Sequence, residues 1–318
     1  MTQRRVDAKK NISIRLLKET VFLDCYAYMT TPDTAAHWDV TAVLPPEARD
    51  SAIVVGGGGS AYGSQTKGAL LTCSCPTRDL DGWIVASKDH LVDDPHQLAV
   101  YFLALRIEGM RRPDLRRLVQ IFEAESARQE HPTAEAIVPV SHAVLSGGFW
   151  VDWHGEGNLA TASFPNSGAN SWIAKSKSHI KGDSATIHAY AIGINKTLPG
   201  AVSVVQTIAT ATSDRAAHPT VQVPLDPAYL LTGAGAQVNW SGWGNVLTQI
   251  QPIVYTERSG ELVQKVAASA KDHVESDPST ITAYAVGTRL PDTTFNIDGT
   301  LNADRLSRYV QLLTGTGV

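Results

Sequence analysis

GNLATASFP (residues 157–165), WIAKSKSH (172–179) and IHAYAIG (187–193) form the stretch that decides the fold, because the chain contains its pattern three times. The same signals return as GNVLT (244–248), SAKDH (269–273) and ITAYAVG (281–287). A more divergent set consists of GALLT (68–72), WIVASKDH (83–90) and VYF (100–102). A glycine-rich cluster precedes each set, at 56–59, 147–148 and 233–235. The sequence therefore predicts one unit of about 90 residues that is present in three copies.

The pattern inside each unit indicates short β-strands. Runs rich in β-favouring residues alternate with turn signals such as Pro45-Pro46, Asp226-Pro227 and Asp277-Pro278, which is typical of an antiparallel sandwich or barrel. We predict an all-β protein of three tandem antiparallel β-sandwich-like repeats, placed in a line or around a pseudo-threefold axis. The predicted boundaries are an N-terminal arm or edge element at 1–17, repeat 1 at 18–112, repeat 2 at 113–199, repeat 3 at 200–291, and a C-terminal closing segment at 292–318.

Composition excludes some classes of function. A net charge of −4 and a pI near 6.2 leave no general positive field for nucleic acid. No stretch approaches the roughly 20 apolar residues of a membrane span. The first ten residues are charged with no apolar run behind them, unlike a signal peptide, and three cysteines indicate a reducing compartment. We expect a soluble chain made in the cytoplasm, which leaves by a route that the sequence does not encode if it acts outside the cell.

Histidines recur at equivalent places in the three repeats. One set is His37, His131 and His218, and the other is His90, His179 and His273. In the second set Asp89 and Asp272 come directly before the histidine, where repeat 2 has Ser178. In one interpretation, the carboxylates and imidazoles of these loops bind a divalent metal or the hydroxyls of a sugar. In the second, the side chains stabilise the loop itself, with Asp capping backbone amides and His bonding a carbonyl. We favour the second interpretation and predict no metal, no cofactor and no catalytic residue.

Tryptophans among polar residues follow two of the glycine clusters. They are Trp150 and Trp153 around Asp152, and Trp240 and Trp243 after Asn239. An indole beside carboxylate and amide groups suits a sugar, whose C–H face stacks on the ring while its hydroxyls bind the polar groups. The alternative is packing in the core or between repeats. The candidate ligand-binding residues are therefore Trp150, Asp152, Trp153, Asn239, Trp240, Trp243, Asp89, His90, His179, Asp272 and His273.

The order GGG, GNLLTxSxP, WxAxSKDH and TAYAIG resembles a repeat of uncharacterised bacterial proteins and of some phage tail-associated or secreted proteins. It is matched here by residues 147–193 and 233–287, and more loosely by 56–105. The resemblance implies β-domains that contact surfaces, and it implies no activity.

Together these features favour recognition over catalysis. We expect a multivalent lectin-like or host-surface-binding protein, the targeting part of a toxin or of a phage-like assembly, which binds a glycan or a cell-surface receptor and forms homo-oligomers. Weak sites repeated on one chain gain avidity. Three alternatives remain open: a pore-forming or insecticidal toxin, with 204–212 as the candidate hairpin, a metal-assisted hydrolase at the Asp-His-Asp loops, and a purely structural subunit that forms large homo-oligomers without a ligand.

Overall fold

The computed structural model describes residues 4–16, 21–30, 36–62, 68–107, 109–198, 202–259 and 261–289. Within these ranges the protein is built almost entirely from β-strands, with one short α-helix and one 3₁₀ turn at Pro46–Ala48. The prediction of an all-β, sandwich-like fold is confirmed. The predicted C-terminal closing strand, within 292–318, lies outside the described residues.

The described part of the first third of the chain contains eight strands, and the first two of them lie in the segment 1–17, predicted as an arm or edge element. In chain order the elements are β1 (Arg4–Asp7), β2 (Lys9–Leu16), β3 (Val21–Met29), β4 (His37–Val43), β5 (Ala52–Tyr62), β6 (Leu70–Pro76), β7 (Gly82–Lys88) and β8 (Gln97–Ile107). Helix α1 (Arg112–Leu118) leads into the next repeat, with Pro113 in its first turn and Asp114 bonding the backbone N–H of Arg111.

The second and third repeats have the same order of strands. Repeat 2 contains β9 (Val119–Glu125), β10 (Thr133–Ile137), β11 (His142–Asp152), β12 (Leu159–Asn166), β13 (Ser171–Lys177) and β14 (Thr186–Asn195), followed by the small pair β15 (Thr197–Leu198) and β16 (Val202–Ser203). Repeat 3 contains β17 (Val205–Thr212), β18 (Thr220–Pro224), β19 (Leu230–Asn239), β20 (Val246–Thr256), β21 (Leu262–Lys271) and β22 (Thr280–Arg289). The domain boundaries themselves stay a prediction.

Each large sheet is shared between two repeats. The strand orders are β1-β4-β7-β6-β11-β14-β9, β10-β13-β12-β19-β22-β17 and β18-β21-β20-β5-β8-β3-β2. In each, strands of one repeat pair with strands of the next, through β6–β11, β12–β19 and β20–β5. The third junction returns to repeat 1, so the repeats close into a ring and do not lie in a line. The stretch proposed as a membrane hairpin is β17, which pairs along its length with β22.

Equivalent residues of the three repeats meet along a central axis. A Cβ placed on Gly56 would lie 1.9 Å from the Thr232 carbonyl oxygen and 3.2 Å from Ser146 Cβ, and one on Gly233 would lie 2.8 Å from Ser146 Cβ. These small residues let the three backbones approach closely. Three further equivalents, Leu70, Leu159 and Val246, form a buried cluster of their own.

A tryptophan packs on a glycine in two repeats. A Cβ on Gly57 would lie 2.4 Å from Trp83, and one on Gly147 would lie 2.3 Å from Trp172. Both indoles are fully buried, and each donates from Nε1 to a serine, to Ser74 and Ser163 respectively. By strand register the equivalents in repeat 3 are Ala234, Val266 and Ile250. Where the indole is absent, the glycine and the serine are absent too, which indicates that the three residues pack as one unit.

Candidate functional site

The loop that follows β7, β13 and β21 has one conformation in all three repeats. It presents His90, His179 or His273, and the next residue is Leu91, Ile180 or Val274 with φ of 59°, 58° or 65°. Bulky residues rarely adopt this left-handed region, because the Cβ approaches the following carbonyl. Each histidine then forms an isolated bridge with the residue two positions on. Such strain is found where surrounding structure fixes the backbone, commonly at functional sites.

The acidic and hydroxyl side chains of these loops bond the loops themselves. Asp89 accepts from the backbone N–H of Ala69 at 3.1 Å and from that of Asp94 at 2.7 Å. Ser178, in the same place, accepts from the N–H of Asp183 at 2.8 Å. Asp272 accepts from Asn245 Nδ2 at 2.9 Å. The interpretation of Asp as a loop-holding residue agrees with these contacts.

The three histidines, although distant in sequence, converge at one point; we call them the axial histidine cluster (His90, His179 and His273). Their ring centroids lie 5.0, 5.1 and 5.3 Å apart, and the side chains are 0–1% exposed. His179 has Nδ1 against the Trp243 carbonyl and Nε2 2.7 Å from the His273 carbonyl, and His273 Nε2 donates to the His90 carbonyl. An imidazole thus contacts a main-chain oxygen of the neighbouring repeat at two of the junctions, from repeat 2 to repeat 3 and from repeat 3 to repeat 1.

Burial keeps these imidazoles neutral. Loss of hydration lowers the pKa of His90 to about 3, with His179 and His273 adding to the shift, and lowers the pKa of His273 to about 4, with His179 adding to the shift. Burial also lowers the pKa of His179, although two backbone carbonyls oppose the shift. At neutral pH the cluster therefore presents nitrogen lone pairs. The three rings are buried in this conformation, and the hydrolase alternative stays a prediction.

A buried lysine two residues before each histidine reaches into the next repeat. Lys88 Nζ donates to the carbonyls of Glu156 at 2.8 Å and Gly157 at 3.2 Å. Lys177 Nζ donates to those of Gly242 at 3.1 Å and Gly244. Lys271 Nζ lies 3.8 Å from Asp94 Oδ2 of repeat 1. These lysines hold the loop of one repeat against the following repeat.

The predicted Trp153 and Trp240 lie on these lysines. Lys88 Nζ is 3.7 Å from the Trp153 ring centroid, and Lys177 Nζ is 4.3 Å from that of Trp240. Histidines of the other predicted set lie beside the indoles: His37 is 6.3 Å from Trp153 and His131 is 5.5 Å from Trp240, centroid to centroid. Both indoles are partly exposed.

Burial also lowers the pKa of Lys88 and Lys177. It lowers the pKa of Lys88 to about 8, against the opposing effect of Asp183 and Glu156. It lowers the pKa of Lys177 to about 8, opposed by Asp277 and Asp272. Each ammonium is accordingly charged at neutral pH, held between carbonyl oxygens and the face of an indole.

An open cavity of about 610 Å³ lies where repeats 1 and 2 meet. We call it the junction pocket, and Lys88 forms part of its wall. The exposed or partly exposed side chains that line it include His37, Leu91, Asp93, Trp153, Glu156 and Lys181. Lys181 Nζ lies 3.3 Å from Glu156 Oε1. The pocket thus combines one aromatic surface with hydrogen-bonding groups of both charges.

The remaining predicted residues lie elsewhere. Trp150 lies inside β11, paired with Cys73 of β6 and His188 of β14. Asp152 is exposed, with Oδ2 3.9 Å from His154 Nε2. Exposed Asn239 donates to the hydroxyls of Thr280 and Thr282. None of these three lines the junction pocket.

Trp243 takes the place in repeat 3 that Glu156 has in repeat 2, if the sequences are aligned on GN at 157–158 and 244–245. Its side chain is 59% exposed, and its carbonyl lies against His179 Nδ1.

Sequence reasoning missed Lys88, Lys177, Glu156 and Lys181. The lysines carried a signal, because a lysine precedes the histidine by two residues in all three repeats. Glu156 and Lys181 differ between repeats and carried none.

The described part of the chain contains no helix with the length and apolar character that a membrane span requires. The resemblance to a bacterial and phage-associated repeat stays a prediction. The chain matches no protein-family model and no curated protein.

Proposed function

We propose that the protein is a carbohydrate-binding, lectin-like protein, and that the junction pocket receives a pyranose unit of a glycan. The observation that carries the proposal is the pocket itself, where Trp153 is partly exposed beside Asp93, Glu156 and Lys181. Its volume of about 610 Å³ lies within the range usual for small-ligand sites. An indole face with charged hydrogen-bonding groups beside it is complementary to a sugar ring.

A related arrangement in the next repeat supports more than one site per chain. Trp240, Lys177 and His131 repeat the contacts of Trp153, Lys88 and His37. The two arrangements differ at one exposed position, where repeat 3 has Trp243 and repeat 2 has Glu156. Two related but unequal sites on one rigid ring would raise the apparent affinity for a surface that displays many glycans.

Glycan-array screening of the purified full chain, followed by calorimetry with the best oligosaccharide, tests the proposal. We expect Trp153→Ala to weaken binding by about 10-fold, or about 1.4 kcal/mol. Asp93→Asn and Glu156→Gln alter exposed side chains and should weaken binding without affecting the fold. Tyr255→Ala removes a partly exposed aromatic residue of β20 outside the pocket and should leave the affinity unchanged.

Two results contradict the proposal: no glycan bound by the wild-type chain, or glycan binding that survives the combined loss of Trp153 and Trp240. Circular dichroism of each variant separates a lost site from a lost fold.

A further inference from the structure

The axial histidine cluster has an incomplete set of hydrogen bonds. His179 places both ring nitrogens against carbonyl oxygens, of Trp243 and of His273. His273 uses Nε2 toward the His90 carbonyl, which also brings this nitrogen to 3.1 Å from His90 Nδ1. Among the described residues, His90 Nε2 and His273 Nδ1 have no hydrogen-bond partner although both are buried. Buried polar atoms are nearly always paired, so these two nitrogens require an explanation.

The spacing of the rings supplies one. Tetrahedral zinc binds imidazole nitrogen at about 2.0–2.1 Å, which places the centroids of two bound rings about 5.2 Å apart. The observed centroid separations are 5.0, 5.1 and 5.3 Å. The rings therefore already lie at the distances that three imidazoles take around one ion.

We propose that His90, His179 and His273 bind one divalent transition-metal ion of the zinc type on the central axis, one ligand from each repeat. One ring nitrogen of each histidine lies within 4.8 Å of one nitrogen of each of the other two, whereas a tetrahedral ion needs about 3.3–3.4 Å between its ligand nitrogens. Metal binding would therefore require the rings to rotate about their Cβ–Cγ bonds so that the three nitrogens approach one another.

The two unpartnered nitrogens, His90 Nε2 and His273 Nδ1, are the ligands of their rings. His179 contributes Nε2 and releases the His273 carbonyl, while its Nδ1–H stays on the Trp243 carbonyl. His273 keeps its Nε2–H on the His90 carbonyl. Metal-bound histidines usually donate their other N–H to a carbonyl or carboxylate, which fixes the tautomer, and these two carbonyls provide that support. A fourth position is left for water or another small ligand.

Imidazole ligands select among cations. Three neutral nitrogens suit zinc, nickel, copper or cobalt and do not suit magnesium or calcium, which prefer oxygen. The bound ion would join the three repeats at one point and would stabilise the ring, because a ligand that binds only the folded chain raises its melting temperature.

Calorimetry with zinc chloride on tag-free protein, stripped with chelator and dialysed, is the direct test. We expect one zinc ion per chain by elemental analysis and a higher Tm with zinc than with magnesium. Cobalt(II) should give the visible absorption of a tetrahedral nitrogen site in the wild-type chain, a readout that needs no variant. Each of His90→Gln, His179→Gln and His273→Gln should weaken zinc binding by about 100-fold or more, consistent with the sensitivity of metal sites to their ligands and supports. His154→Gln, which changes an exposed histidine, is the matched control.

The proposal is overturned if the stripped wild-type chain takes up no zinc or cobalt. It is equally overturned if uptake persists in a folded variant that lacks two of the axial histidines, since the ion then binds elsewhere. Neither outcome involves a glycan, so the proposed carbohydrate site stands or fails separately.

Discussion

Gly147 lies directly beneath the Trp172 indole, and replacing it with alanine should destabilise the protein strongly. The added Cβ would lie 2.3 Å from Trp172 Cγ and 2.2 Å from the Tyr190 carbonyl oxygen. Because ordinary contacts begin near 3.4 Å, the ring or the strand must move by about 1 Å. The ring is fully buried and donates to Ser163 at 2.8 Å, so movement also strains that hydrogen bond.

The expected loss follows from these contacts. Overpacking of a core costs about 1–3 kcal/mol, and a weakened buried hydrogen bond adds about 1 kcal/mol. The smaller entropy of the unfolded chain with alanine returns about 0.4–1 kcal/mol. We therefore expect Gly147→Ala to lower the free energy of unfolding by about 2–3 kcal/mol.

Repeat 3 indicates that replacing Trp172 with valine should compensate for the added methyl group, because it combines Ala234 at the position of Gly147 with Val266 at the position of Trp172. Trp172→Val alone should cost about 3 kcal/mol through the cavity that it leaves. In the double variant the alanine methyl group points into this cavity, so the loss should stay near that of Trp172→Val and fall well short of the sum.

Equilibrium urea unfolding followed by far-ultraviolet circular dichroism measures these differences. Ala234→Gly is the control for backbone freedom and should cost about 1 kcal/mol or less. Strict additivity of Gly147→Ala and Trp172→Val would refute the idea that these side chains pack as one unit.

Two further predictions concern buried cations and pH. Lys177→Met leaves the Gly242 and Gly244 carbonyls without their donor and should lower the free energy of unfolding by about 2 kcal/mol in urea. Lys175→Met on the same strand, where the side chain is half-buried, should lower it by under 1 kcal/mol. Equal losses would contradict the role of Lys177 in holding the loop against repeat 3. Burial lowers the pKa of His96, so below pH ~6.5 the unfolded chain gains a proton that the folded chain does not. The contribution of neutral His96 to the free energy of unfolding is complete above that pH and falls by up to about 1.4 kcal/mol per pH unit as the pH decreases. His96→Gln should therefore reduce the slope of stability against pH between pH 6.5 and 5. An unchanged slope would contradict the lowered pKa of His96.

The strands were predictable because each repeat contains its own alternation and its own turn signals. The glycine, tryptophan and serine of the packed unit could also be read from sequence, since they change together to alanine, valine and isoleucine in repeat 3. The sharing of each sheet between repeats could not be predicted. Local patterns fix hairpins such as β12–β13, but nothing in them says that β12 pairs on its other side with β19.

The candidate site was predicted in parts. The repeated histidines indicated a device copied with its unit, and the interpretation of Asp89 as a loop-holding residue agrees with its hydrogen bonds. Sequence could not show that the three imidazoles meet, because their convergence depends on ring closure. For the same reason it could not show that Trp153 of repeat 2 lies on Lys88 of repeat 1.

Ring closure also bears on the ancestry of such a chain. A polypeptide with a single unit could complete these sheets only by assembling with two others, and its folding would then depend on concentration. Fusion of three units into one gene makes the encounter intramolecular, so the assembly survives dilution. After fusion, the three units can also differ from one another in sequence, because each is encoded separately. The junction pocket shows this divergence, because its charged Glu156 corresponds to Trp243 in repeat 3.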